Sequence, residues 1–396
     1  MESSRYHTGQ VQLRRSSIRT ILVAPDSFKG SLTAREAAAA MSLGVLDEIP
    51  GVDVSTHPLS DGGEGLVDVL TPALGCTVVE TEVQGPLPGQ RVVARWGYSA
   101  AARLAILEMA QASGLMLVPP ERRDPKTTTT FGVGELLLAA IDRGAREIIL
   151  GIGGSATNDG GSGMAEALGV RFMDGSGTPL GRGGGTLLSL DKIDVRGLDS
   201  RIFRTKITAA CDVSNPLTGP RGASAVYGPQ KGASKEDVAL LDRALQNYGD
   251  VIRTSLGIDL QEIPGSGAAG GLGAGLVAFC HGILKPGIDV VLEATKFEEK
   301  VMRADLILTG EGKLDSQTRF GKTLSGVMRC ATAHGKPLVA VVGMVEGDED
   351  EFLGPDGLYS LASLVDRSTS TVMAMENAER LVRKRTADLL RSILEE

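Results

Sequence analysis

Cysteine and histidine are scarce in this 396-residue chain, which has four of each. The cysteines (Cys76, Cys211, Cys280 and Cys330) stand far apart with no CxxC spacing, so neither a disulfide framework nor a zinc site is expected. His57, His281 and His334 fall outside the glycine loops described below and His7 lies in the N-terminal tail, which leaves no Ser-His-Asp or Cys-His arrangement. Positive charge is not in excess either. A net charge of −8 argues against nonspecific nucleic-acid binding and suits a cytoplasmic protein, so an anionic substrate must be met by a few local cations and backbone amides. Long apolar runs are missing. Ala268 to Leu284 is interrupted by five glycines and His281 and reads as a buried helix, and Pro25 and Asp26 end the run before them far short of a signal segment. No membrane partner is expected.

What the chain has in abundance is glycine, 52 residues clustered in turns without a collagen-like period. Its length exceeds what one hydrophobic core usually supports, so two domains are expected. The stretch Arg146 to Gly163, REIILGIGGSATNDGGSG, sets the pattern. A short Ile/Leu-rich run suited to a buried strand enters a glycine-rich turn, and a helix follows from Met164. Such a turn aims backbone N–H groups at an anion, and Gly153, Gly154, Ser155, Asn158 and Asp159 lie in it.

Similar units recur. Ile21 to Ala24 reads as a strand, PDSFKGS as a loop carrying Asp26, Ser27 and Lys29, and Thr33 with Glu36 as the capping box of the next helix. LSDGGEG carries Asp61 and Glu64, which could hold a metal or substrate hydroxyls. Between Cys76 and Pro119, three strands joined by short connections imply antiparallel neighbours and entry into a second domain. Further on, the strand Ile207 to Cys211 leads to Asp212 and Asn215. Asp289 to Arg303 reads as one helix, Leu306 to Thr309 as a strand leading to Gly310, Glu311, Gly312 and Asp315, Leu338 to Val342 as the last clear strand, and Ala374 to Leu394 as a surface helix. The expected fold is α/β with two α/β domains. One is discontinuous (18–65 plus 286–396, parallel sheet), the other inserted (66–285, mixed sheet), and residues 1–17 form a disordered extension.

Two familiar nucleotide signatures fail on context. GSGAAG at 265–270 fits GxGxxG, but Pro264 precedes it and Ile258 to Ile263 is a poor strand, which argues against a dinucleotide site. FGKT at 320–323 resembles the end of a P-loop, but Ser316 stands where the earlier glycine is required; Lys322 could still touch phosphate. The five loops taken together are more informative. They supply aspartates, a few cations and many amides, which is the inventory of phosphoryl transfer: carboxylates for Mg²⁺, a cation on the transferred group, and a carboxylate to accept a hydroxyl proton.

APDSFKGSLTA, PLSDGGEG, EMAQASGL, TTTFGVGELLLAAIDRGAREIILGIGGSATNDGG, ACDVSNPLTGPRGASAVYGPQKGA and ADLILTGEGKLDSQT, in that order, resemble the bacterial type I glycerate kinase family. The resemblance implies ATP-dependent phosphorylation of D-glycerate, at the 2-hydroxyl, with the active site in a cleft between two α/β domains and no P-loop; Mg²⁺ is expected from the phosphoryl-transfer inventory. It leaves open a glycerate 3-kinase, a non-catalytic small-anion sensor and a homo-oligomer. On this reading Asp159 or Asp212 handles the glycerate hydroxyl proton while the other, Asp212 by preference, positions Mg²⁺. Lys29 neutralises the phosphoryl group or binds the glycerate carboxylate. Asp26, Ser27, Asp61, Gly153, Gly154, Ser155, Asn158 and Asn215 contact glycerate, and Gly310, Glu311, Gly312 and Asp315 serve ATP.

Overall fold

Ile21, Leu22 and Val23 are each at most 1% exposed, as a strand covered on both faces must be. They belong to β1 (Thr20–Val23), which α1 (Ala34–Glu48) and β2 (Asp53–Thr56) follow. The next elements are β3 (Thr77–Gln84), β4 (Arg91–Ser99), β5 (Leu104–Glu108), α2 (Phe131–Asp142), β6 (Glu147–Gly151) and α3 (Ser162–Ala167). Then come β7 (Lys206–Ala210), α4 (Lys235–Leu256), α5 (Ala268–Cys280), β8 (Ile283–Lys285), α6 (Gly287–Ala294) and α7 (Phe297–Arg303). The chain closes with β9 (Leu306–Thr309), α8 (Thr323–Ala333), β10 (Leu338–Val342), β11 (Ser360–Ser363) and α9 (Ala378–Ile393). This computed structural model describes residues 13–60, 62, 65–315 and 323–395. The chain divides into two compact units, Met1–Asp61 with Val291–Glu396, and Gly62–Val290.

The first unit is built on a parallel sheet in the order β11-β10-β9-β1-β2, with Ile21 paired to Leu306 on one side and Val54 on the other. Its first helix starts where the sequence places a capping box: Glu36 N donates to Thr33 Oγ1 (3.2 Å) and Thr33 N to Glu36 Oε2 (2.8 Å). The second unit carries a mixed sheet, β8-β7-β6-β5-β4-β3, parallel from β8 to β5 and antiparallel across β4 and β3. Trp96 on β4 is buried, and its indole N–H donates to Thr81 Oγ1 on β3 at 2.9 Å. The α/β class and the parallel and mixed sheets are as the sequence implies. Among the described residues no helix is long and apolar enough to cross a membrane.

Four local expectations are corrected. Residues 13–17, read as part of a disordered extension, pack instead: Leu13 is buried, Arg14 bridges to Glu395, and Arg15 pairs with Glu48. The single helix expected over 289–303 is two, because Lys296 adopts a left-handed φ of 51°. The C-terminal helix is likewise interrupted at Asn377, after Thr371–Glu376. The apolar run from Ala268 is helical only to Cys280, with Ala269, Gly270 and Gly271 in left-handed conformations, and it ends in the unforeseen strand β8.

His57 shows how this fold handles a buried titratable group. The Thr295 hydroxyl donates to Val291 O (2.7 Å), so the imidazole must donate its Nε2–H to Thr295 Oγ1 (2.9 Å) and accept the Lys300 ammonium on Nδ1 (2.8 Å). Burial, with Lys300 beside it, pushes His57 down to about 4. The unfolded chain takes up the proton near pH 6.5 and the folded one does not, so stability should fall as pH drops from about 6.5 to about 4. The total is on the order of 3 kcal/mol. Urea titrations of wild type and His57→Gln across that window check this: the variant should lose that part of the pH slope.

Candidate active site

Each unit has its own candidate site, built where parallel strands end. In the first, the ladder continues past β1, β9 and β10: Asp26 N donates to Gly310 O (2.8 Å) and Gly343 N to Glu311 O (2.9 Å). The loops after these strands therefore lie side by side, at the sheet edge where α/β proteins hold ligands. Glycine permits the contact. A Cβ on Gly310 would stand 2.1 Å from Val341 O, and one on Gly312 3.0 Å from Lys29 N. Around a cavity of about 360 Å³ the loops gather Asp26, Ser27, Lys29, Glu311, Gly312 and Asp315, residues that the sequence alone assigns to opposite ends of the reaction. Gly310 does not line it and serves packing instead. Asp26 is 8% exposed, with Ser27 N donating to Oδ1 (2.6 Å) and the Thr323 hydroxyl to Oδ2, whereas Lys29 is exposed.

The same cavity is also lined by Met344, Leu364, Val365, Ala374 and Met375. Sequence reading missed this apolar wall. Leu364 and Val365 follow a short, half-buried edge strand and Ala374 and Met375 belong to a helix read as surface, so no periodic pattern marks them.

In the second unit the glycine-rich turn after β6 is tied down on every side. Ala156 N donates to Ser113 O (2.9 Å), Leu115 N to Gly154 O (2.8 Å), the Tyr248 hydroxyl to Gly160 O (2.9 Å) and Gly160 N to Gly270 O (3.0 Å). A Cβ on Gly270 would lie 1.9 Å from Thr157 O, and φ there is +68°. The GSGAAG stretch is therefore the wall against which the turn is packed, and no strand runs into it. The amides of Gly153, Gly154 and Ser155 have no acceptor among the described residues. They edge a cavity of about 190 Å³ together with Asp212, Tyr227 and Lys231.

Asp212 and Asp159, interchangeable on the sequence, differ sharply in place. Asp212 is exposed at the cavity, and its Oδ1 accepts Gly287 N (2.7 Å) at the start of α6. Asp159 is 0% exposed and does not line the cavity. Its Oδ2 accepts Thr130 N (2.8 Å), Thr130 Oγ1 (2.9 Å) and Gly163 N (3.3 Å), and its Oδ1 accepts Gly161 N (3.2 Å). Burial pushes the Asp159 carboxyl up, opposed by these hydrogen bonds. Asn158 is also away from the cavity, its Nδ2 donating to Ser224 Oγ (3.0 Å). Asn215 acts at one remove, accepting the hydroxyl of cavity-lining Tyr227 at 2.7 Å. Lys231, to which the sequence reading assigns no role, is 1% exposed, and burial pushes it down to about 7 against the opposing charge of Asp159. Only burial, invisible in the motif GPQKGA, marks it out.

Asp61, Glu64 and the FGK of FGKT lie outside the described residues. Among the described residues no group of three or more His, Cys, Asp or Glu is placed to hold a metal ion. Mg²⁺ typically takes only one or two carboxylates together with phosphate oxygens and water, and Asp26, Glu311 and Asp315 line the first cavity.

The glycerate kinase family profile matches residues 21–394. The chain is 47% identical to a glycerate kinase of Halalkalibacterium halodurans over 92% of this chain and 96% of that one. It is also 47% identical to a glycerate 2-kinase of Escherichia coli K12, over 83% and 86%. A crystal structure from Salmonella typhimurium LT2, described as a glycerate kinase 2, superposes with a TM-score of 0.84 at 45% identity, covering 94% of this chain and 97% of the other. With strand-end loops of this chemistry and matches over nearly its whole length, this chain belongs to the glycerate kinase family.

Proposed function

We propose that the chain transfers the terminal phosphoryl group of ATP to the 2-hydroxyl of D-glycerate, giving 2-phosphoglycerate. The observation that carries this reading is the small cavity of Gly62–Val290, where three amides without acceptors among the described residues meet a carboxylate and a buried ammonium. That set suits a three-carbon hydroxy acid: amides for its oxygens, a carboxylate for its hydroxyl proton. Asp212 is the base, being at the cavity and reachable, and Asp159 holds the turn in shape. The larger cavity of the other unit suits the nucleotide. Its apolar wall takes the base, and Lys29 takes the phosphates. Asp26, Glu311 and Asp315 would hold Mg²⁺, which when bound supplies charge neutralisation on the phosphate oxygens. A reducing cytoplasm suits the four free cysteines.

Coupled detection of ADP with D-glycerate and Mg-ATP, followed by phosphorus NMR of the product, tests the reading. A 3-phosphoglycerate signal would transfer the chain to the other regiochemistry, and glycerate binding without ADP release would make it a sensor. Lys29→Ala is expected to lower kcat/KM by about 10²-fold, checked by steady-state kinetics with ATP varied. An unchanged value would return Lys29 to a solvated loop residue.

A further inference from the structure

The Lys231 ammonium is the one cation among the described residues lining the smaller cavity. It sits at the end of a 3-10 turn, Pro229–Lys231, and Nζ donates to Thr157 O at 2.6 Å. An ammonium has three N–H donors. No second protein acceptor takes one from Lys231 among the described residues, and the carboxylate that balances its charge, Asp159, is already occupied by four donors of its own. Satisfying one backbone carbonyl needs only a neutral donor. A buried charge is costly to maintain unless something pairs with it. With two donors to spare at a cavity that also presents the amides of Gly153, Gly154 and Ser155, Lys231 has the chemistry of an anion's counter-ion.

We propose that Lys231 binds the carboxylate of the acceptor substrate and sets the preference for a hydroxy acid over its neutral analogues. This rests on the glycerate reading above. Asp212 and Lys231 then divide the substrate: the carboxylate side chain receives the hydroxyl proton and the ammonium receives the carboxylate. Burial serves the discrimination, because a neutral group placed against Lys231 leaves a side chain only 1% exposed with its charge unpaired.

The test compares D-glycerate with its neutral isostere D-glyceramide in the full-length enzyme and in Lys231→Gln and Lys231→Met. Gln keeps a donor for Thr157 O and Met does not, and both lack the charge. Charge recognition predicts that both variants lose about 10²-fold or more in kcat/KM for glycerate, chiefly through KM. Turnover of glyceramide should change by only a few-fold, with KM for ATP and the melting temperature near wild type for the Gln variant. A merely structural lysine predicts wild-type preference in Lys231→Gln, or parallel loss with both substrates in either variant. Those outcomes overturn the proposal, as does a Gln variant that fails to fold, which would assign the ammonium to the fold. If wild type turns over neither compound, the kinase reading fails. Calorimetric binding of the two compounds to wild type and Lys231→Gln then still decides whether Lys231 selects the carboxylate.

Discussion

Replacing Asp212 with asparagine is expected to lower kcat by about 10²- to 10⁴-fold, the range for losing a general base, while the melting temperature barely moves. Asparagine is nearly isosteric and keeps a side-chain oxygen for Gly287 N, the 2.7 Å bond that orients the residue at the start of α6. It has no oxygen able to take a proton from the substrate hydroxyl. Asp212 is exposed at the cavity, so the substitution leaves no unsatisfied group in the core. Steady-state ADP release at saturating D-glycerate and Mg-ATP, with thermal unfolding on the same preparation, checks it. A near-normal kcat would remove Asp212 from the chemistry.

Asp159→Asn is expected to act on the opposite axis, costing roughly 2–4 kcal/mol of stability from lost charge-assisted hydrogen bonds and a buried donor left facing donors. Thr130 N lies at the entry to α2, and Gly163 N lies in the first turn of α3. One carboxylate therefore satisfies N–H groups at the starts of two helices, where helix backbones lack internal acceptors. The Thr130 hydroxyl accepts Met164 N (3.0 Å) and so must give its own hydrogen to Asp159. An amide at this position can present only one acceptor atom to these four bonds. Urea unfolding measures the loss. A variant with wild-type stability but kcat reduced 10²-fold or more would instead make Asp159 the base, the outcome its place in the glycine-rich turn first suggests.

Together the two substitutions show where sequence reading of the site succeeds and stops. Both aspartates follow a buried strand in a polar, glycine-rich loop, and on the sequence they are equivalent. One loop is folded back under α2 and α3, and the other opens on a cavity. Nothing in the letters TND or CDVSN distinguishes those courses. Asp26 and Lys29 make the same point: their loop reads as substrate-binding, yet it lies beside Glu311 and Gly312, because β1 and β9 are neighbours in the sheet though some 285 residues apart in the chain.

The sequence by itself determined the α/β class, the parallel and mixed sheets and the family, along with most strands and the capping box at Thr33. These rest on local pattern, in runs such as Ile21 to Val23 and Leu338 to Val342 that are buried on both faces and so carry an unbroken apolar signature. It also disposed of GSGAAG as a nucleotide motif, since the missing strand before it is a local fact. The tertiary structure alone decided which polar residues are accessible. Asp159 is sealed in and Asp212 is not, Leu364, Val365 and Met375 line one cavity with Lys29, and Lys231 is withdrawn from water. Accessibility depends on what the rest of the chain lays over a residue, and that covering comes from segments distant in sequence.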